Sequence, residues 1–176
     1  WLEAGHDLQT MAVNLSPRQF HLPDIDQIVG DILSEVGLAP HHLELELTES
    51  ALIDQGIGAE TRLAALRKLG TRIAIDDFGT GYSSLAYLKR FPINKLKIDQ
   101  SFVRDIPTDS ADMEITSAII GLTRNLHLES NAEGVETEAQ FAFLQEQGCQ
   151  FAQGYLFSKP LPAAEIELLL QRGVLS

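Results

Sequence analysis

The chain has 176 residues, 44% of them hydrophobic and 22% charged, and a formal net charge of −12. This is ordinary globular composition for one domain with a substantial core, and the acidic balance excludes a protein that coats DNA or RNA by neutralising phosphates. The apolar runs, such as Ile166–Leu170 broken by Glu167, are far too short to span a bilayer. No signal-peptide pattern is visible, and a single cysteine, Cys149, excludes an internal disulfide and fits a reducing compartment. The domain is therefore expected in the cytoplasm, without membrane insertion of its own. Trp1 stands where a start methionine would, and Trp1–Ala4 reads as the end of a helix, so a piece of something longer is expected. Residues 1–176 carry no linker or low-complexity break and read as a single domain, incomplete at its N-terminus.

Short apolar segments alternate with helical patterns along the chain. Ala12–Leu15 reads as a strand ended by Ser16-Pro17. Asp24 is placed to cap a helix carrying Ile25, Ile28, Ile32 and Val36, closed by Gly37. Leu43–Leu47 is a strand, and Leu63, Leu66 and Leu69 lie on a helix ended by Gly70. Arg72–Asp77 and Leu96–Phe102 read as strands, with a short helix near Ser84–Arg90 stopped by Pro92 between them. A helix follows over Ser110–Asn125 and a strand over Glu129–Glu133. Thr137 and Gln140 have capping-box spacing at the head of a helix closed by Gly148. Phe151–Phe157 is the last strand, and Pro162 sits near the first turn of a terminal helix ending at Gly173.

Six strands alternating with helices predict a parallel sheet, which an open doubly wound sheet and a closed barrel both satisfy. The alternation within the strands discriminates. In Leu43-Glu44-Leu45-Glu46-Leu47 one face is all leucine and the other carries Glu44 and Glu46, and Lys97 and Asp99 do the same against Leu96 and Ile98. Central strands of open sheets are usually apolar on both faces. Here one face looks into something polar.

The strand ends carry Asn14, Glu46, Asp76-Asp77, Lys97 with Asp99, Glu133 and Gln153. Barrel enzymes place catalytic groups from several strands at that end. Any one of these acids alone is more often a cap or a solvated loop residue, and Lys97 alone could pair with Asp99. Together, Glu46, Asp76, Asp77 and Glu133, with Asn14 as a neutral oxygen donor, form an oxygen-rich set suited to Mg²⁺ or Mn²⁺. Two such ions about 3.5–4 Å apart are the usual device for in-line attack on a phosphodiester. Lys97 is the only basic group among these ends. It could orient or deprotonate the attacking water, or stabilise charge on phosphorus.

The strings Asn14-Leu15-Ser16, Glu46-Leu47-Thr48-Glu49-Ser50, the run from Asp76-Asp77-Phe78-Gly79-Thr80-Gly81 through Tyr82 to Leu85, Leu96-Lys97-Ile98-Asp99, Ala132-Glu133-Gly134-Val135-Glu136 and Gln153-Gly154-Tyr155-Leu156-Phe157 resemble the successive motifs of the EAL domain family. The resemblance covers nearly the whole chain. It implies a modified (β/α)₈ TIM-like barrel, here with six of the eight β/α units, and metal-dependent hydrolysis of the bacterial second messenger cyclic di-GMP to linear pGpG. By the same resemblance Asn14, Glu46, Asp76, Asp77 and Glu133 are metal ligands, and Lys97 is the general base or the lysine that orients water. Gln153 contacts the metal-associated water or its surroundings, and Glu136 is a supporting acid after the ligand strand. Glu49 anchors the loop from Phe78 through Gly79 and Gly81 to Ser83, which couples the site to a homodimer. Sensor or cyclase-like domains are expected partners in the same protein.

Two departures from the family pattern matter. The strands that carry the Glu-Ala-Leu motif have no counterpart, so one metal-ligating glutamate is missing. This keeps open an alternative reading, a silent cyclic di-GMP receptor or docking module, and predicts poor activity for residues 1–176 alone, with both sheet edges unpaired and Glu44 opened to water. The second departure is Ser130-Asn131, where the family usually has valines. Asn131 shares a strand face with Glu133 and points inward. As a buried amide with no evident partner, it is expected to be replaceable by valine at no cost.

Overall fold

The computed structural model describes residues 1–6, 8–53, 57–81 and 88–171. Most of the helix expected near Ser84–Arg90, the loop residues Tyr82 and Ser83, and the terminus at Gly173 lie outside the described residues. Strands β1 (Met11–Asn14), β2 (Leu43–Thr48), β3 (Arg72–Phe78), β4 (Lys95–Ile98), β5 (Glu129–Ala132) and β6 (Phe151–Ala152) form one sheet in strict sequence order. Every neighbouring pair is parallel. A doubly wound sheet reverses its strand order at a switch point and so carries helices on both faces. Here the order never reverses, so right-handed crossovers put the helices on one side. The sheet curls into a half-barrel.

The period-two alternation of the strands then separates two environments. Leu45, Leu47, Ile73, Ile75, Leu96 and Ile98 face the helices and are almost fully buried. Phe20 and the helix residues Leu63, Leu66, Ile120 and Leu144 complete this outer core. Glu44, Glu46, Lys95 and Lys97 face inward, and all four are buried as well. Sequence order, register and helix placement thus favour the barrel over the open sheet.

Local signals set most of the helices. Ser16 caps Pro17–Phe20 with a complete capping box, and Thr137 and Gln140 do the same for Glu138–Gln147. Gly37 and Gly148 close Ile25–Val36 and Glu138–Gln147 in the left-handed conformation. The remaining helices run over Glu49–Ile53, Ile57–Leu69, Gln100–Val103, Ser110–Asn125 and Ala163–Gln171. None of the described helices is long and apolar enough to cross a membrane.

The structure departs from the expectations at four places. Asp24 makes no side-chain cap bond, and the helix it precedes buries Ile25, Val29 and Leu33 while Ile32 and Val36 are exposed. That segment carries two overlapping apolar stripes, and packing against Ile57–Leu69, where Leu69 approaches Gly30, selects one of them. The strand expected over Leu96–Phe102 stops at Ile98, because Asp99 turns and caps the next helix, accepting from the Ser101 N–H at 2.9 Å. The strand expected over Phe151–Phe157 ends at Ala152. There the chain passes so close to the preceding loop that a Cβ on Gly154 would lie 2.1 Å from Val135 O. Trp1–Ala4 closes as a helix end does, with Gly5 at φ 85° donating to Leu2 O and the His6 N–H donating to Trp1 O.

Glu44 is the fourth. It is 2% exposed rather than opened to water. Lys95 Nζ donates to its Oε1 at 2.7 Å and Arg72 Nε to its Oε2 at 3.2 Å. Arg72 also bonds Glu129 at 2.5 Å, so β2, β3, β4 and β5 are tied together at this level by a closed charge network. A buried carboxylate stays inside only with such partners. Replacing Lys95 by Met is therefore expected to cost about 3 kcal/mol in urea unfolding, because Glu44 loses its nearest cation. Replacing Arg90 by Met, which breaks the exposed pair with Glu60, is expected to cost under about 1 kcal/mol.

Candidate active site

Two residues along each strand from the Glu44 network, toward the C-terminal ends, the inner face carries a second charged layer. Lys97 on β4 is 3% exposed. Its Nζ lies 2.7 Å from Glu46 Oε2 on β2, 3.0 Å from Asp76 Oδ1 on β3 and 2.7 Å from Glu133 Oε1 just past β5. The three hydrogens of an ammonium match these three acceptors. Burial alone would lower the Lys97 pKa, but the bonds to Glu133 and Glu46 more than reverse this and hold it above the ordinary lysine value. The ion-pair partners of Lys97 are these three carboxylates, not Asp99, the alternative that proximity in sequence offered.

Asp76 and Asp77 are consecutive in a strand, so regular alternation would send them to opposite faces. The pairing with β4 slips at this point. Ile75 is opposite Leu96 but Phe78 is opposite Ile98, so the β3 side holds one residue more. That is a β-bulge, a device that re-aims a side chain. Asp77 takes up the slack with a left-handed φ of 53°, an uncommon conformation that aspartate tolerates better than most residues. The result is that Asp76, Asp77 and Glu133 each present a carboxylate oxygen within 4.8 Å of the others. Burial raises the pKa of Asp77, and the charges of Asp76 and Asp99 add to the shift. Burial likewise raises that of Glu133, with Lys97 opposing and Asp76 and Glu46 contributing. Hard oxygen donors crowded against their own repulsion fit a divalent cation of the Mg²⁺ or Mn²⁺ kind.

The other expected site residues are distributed around this trio. Glu46 is joined to it through Lys97. Asn14 pairs in register with Glu46 on the exposed edge strand β1. Gln153 Nε2 donates to Glu133 Oε1 at 2.9 Å. Glu136 lies exposed beyond the strand end, with its N–H bonded to Gln140 Oε1. Glu49 is 6% exposed; its Oε2 accepts from the Gly79 N–H at 3.3 Å, and a Cβ on Gly81 would fall 3.0 Å from its Oε1. Gly79 has φ +100°, and a Cβ there would meet Phe102 at 2.9 Å. Phe78 is buried at the head of this loop.

Asn131 corrects an expectation. Its Nδ2 reaches Gln153 Oε1 at 3.4 Å, so the amide has a partner and is not a free candidate for valine. Ser130 is also satisfied, since its Oγ accepts from the Gln150 N–H and its N–H donates to Gln150 Oε1. Sequence reasoning placed Glu44 on the polar face but missed the layer that it forms with Arg72, Lys95 and Glu129. Its signal was parity, since each of these residues stands two or four positions before a residue of the upper layer and so shares its face.

A family model described as EAL domain matches residues 1–160. The chain is 50% identical over 171 residues to the Cyclic di-GMP phosphodiesterase NbdA of Pseudomonas aeruginosa, covering 96% of this chain and 22% of that protein. Among solved structures, PaMucR phosphodiesterase in complex with c-di-GMP superposes with a TM-score of 0.91 at 46% identity, over 94% of this chain and 67% of that one. Klebsiella pneumoniae BlrP1 in its manganese and cy-diGMP complex at pH 9.0 superposes with a TM-score of 0.81 at 37% identity, over 88% of this chain and 40% of that one. The chain spans about a fifth of the length of the curated relatives it matches first.

The crowding at Asp77 generates a testable consequence. In EDTA, Asp77→Asn is expected to raise the unfolding midpoint at pH 7. A carboxyl whose folded-state pKa is raised costs stability once ionised, and that cost disappears where both folded and unfolded states are protonated. The gain should therefore vanish near pH 3. The same variant should bind Mn²⁺ at least about tenfold more weakly by calorimetric titration.

Proposed function

The chain belongs to the EAL domain family, and from that premise we propose that it is the catalytic part of a phosphodiesterase that hydrolyses cyclic di-GMP to linear pGpG. The observation that carries this reading is the Lys97 ammonium held by Glu46, Asp76 and Glu133 beside the convergent trio of Asp76, Asp77 and Glu133. The names of the relatives supply the substrate; the side chains supply the chemistry.

Asp76, Asp77 and Glu133 would hold a divalent cation, Mg²⁺ or Mn²⁺, with Glu46 and Asn14 as the nearest further oxygen donors for a second. Such cations would supply Lewis acidity toward water and toward a phosphoryl oxygen. In the reaction, a water oxygen bonds to phosphorus and gives up a proton to a site carboxylate or to solvent, one phosphorus–ribose oxygen bond breaks, and the leaving oxygen takes up a proton. Lys97 contributes as a cation. Its three N–H bonds go to carboxylates; once Asp76 or Glu133 turned to a cation, one of these bonds would be free to orient the attacking water, and the fixed charge would offset that growing on the phosphoryl oxygens. Glu49 holds the Gly79 end of the loop after β3 and so fixes the backbone that follows the two aspartates. A receptor that binds without cleaving fits the site less well, because Glu46, Asp76, Asp77, Glu133 and Lys97 are all retained.

In the intact protein that carries this domain, Asp76→Asn is expected to lower kcat by at least about a hundredfold with the fold retained. Lys97→Met should lower kcat on a similar scale while the Kd for cyclic di-GMP changes only a few-fold, because the lysine acts on the transition state. The assay follows pGpG release with and without EDTA. Turnover that survives EDTA, or near-native rates in Asp76→Asn, would remove the reading.

A further inference from the structure

Asn131 lies on the inner face of β5, between Lys97 on β4 and Phe151 on β6 in the register of the sheet. It is 7% exposed, and a buried amide in that position needs a reason. Its Nδ2 donates to Gln153 Oε1 at 3.4 Å; Gln153 Nε2 donates to Glu133 Oε1 at 2.9 Å; and that same oxygen takes Lys97 Nζ at 2.7 Å. The polarity of this relay is fixed from one end. An ionised Glu133 can only accept, so Gln153 must turn its NH₂ toward it, which leaves the Gln153 carbonyl oxygen facing Asn131.

Gln153 cannot hold that orientation by itself. It is exposed, and it follows a strand of two residues. The opposite amide orientation would set two oxygens against each other at Glu133. Asn131, anchored in the sheet, meets the carbonyl end and makes the productive orientation the one with both ends bonded. We infer that Asn131 is a positioning residue for the site: it orients the amide of Gln153, and through it fixes the rotation of the Glu133 carboxylate that converges with Asp76 and Asp77. This rests on the reading of that trio as the cation-holding part of a phosphodiesterase. Groups that orient a ligating carboxylate matter almost as much as the ligand itself.

The test uses the intact protein with Asn131→Leu, close to asparagine in shape, and Asn131→Val as a second variant, each checked for folding by circular dichroism. Mn²⁺ affinity is measured by calorimetric titration and turnover by pGpG release. We expect either variant to weaken Mn²⁺ by about tenfold and to lower kcat comparably, with KM for cyclic di-GMP changed by less than about twofold. Gln153→Ala should give the same losses, and Asn131→Leu combined with Gln153→Ala should be no worse than Gln153→Ala alone, since both act through one relay. Wild-type Mn²⁺ affinity in folded Asn131→Leu, losses that multiply in the double variant, or unfolding of both single variants would overturn the inference. A wild-type protein without turnover in which the Mn²⁺ pattern nonetheless holds would strike the phosphodiesterase reading and leave the positioning role of Asn131 standing.

Discussion

An ammonium taken out of water costs several kcal/mol unless anions replace its hydration, and Lys97 is 3% exposed. Its three carboxylate partners come from β2, β3 and the end of β5, so satisfying one charge fixes the relative height of four neighbouring strands. A slip of one residue in any of them would turn its inner set of side chains to the helix side and leave the ammonium short of an acceptor. The hydrophobic outer core supplies most of the burial and opposes the same one-residue slip, but a two-residue slip would keep its apolar face. The charge layer around Lys97, repeated one level down by Glu44, Lys95, Arg72 and Glu129, specifies one register.

The same interaction makes the site work as a site. Carboxylates gathered this closely repel one another, and burial, with that repulsion added, raises the pKa values of Asp77 and Glu133. Lys97 offsets part of it and keeps Glu46, Asp76 and Glu133 near their working positions. Asp77 is the residue outside this arrangement, and it is also the one in a left-handed backbone at a bulge. The local cost there is matched to a gain, since without the bulge two consecutive aspartates could not face one pocket.

Support reaches the trio from both sides. Glu49 approaches from the helix side and bonds the loop after Asp77. Asn131 approaches along the inner face and bonds Gln153, which bonds Glu133. Each support starts from a buried polar group, Glu49 or Asn131, that holds a more exposed one, Gly79 or Gln153. This is how a rigid sheet transmits its order to a short strand end such as β6.

The sequence by itself determined the element order, the parallel sheet, the polar inner face and the acids at the strand ends. These follow from local rules: period-two alternation, capping boxes at Ser16 and Thr137, and glycine closures at Gly37 and Gly148. It could not choose between the two apolar stripes of Ile25–Val36, because only the packing partner decides which stripe is buried. It ran the strands of Lys97 and Phe151 too far, because a cap at Asp99 and the close approach of Gly154 to Val135 depend on where other segments pass. It placed Glu44 in water and left Asn131 without a partner for the same reason. The ions and amides that satisfy them, Lys95, Arg72 and Gln153, are from 22 to 51 residues away along the chain and become neighbours only when the sheet closes its register. Tertiary structure alone decided that Asp76 and Asp77 share a face, since a bulge is defined by two strands together and is written in neither one.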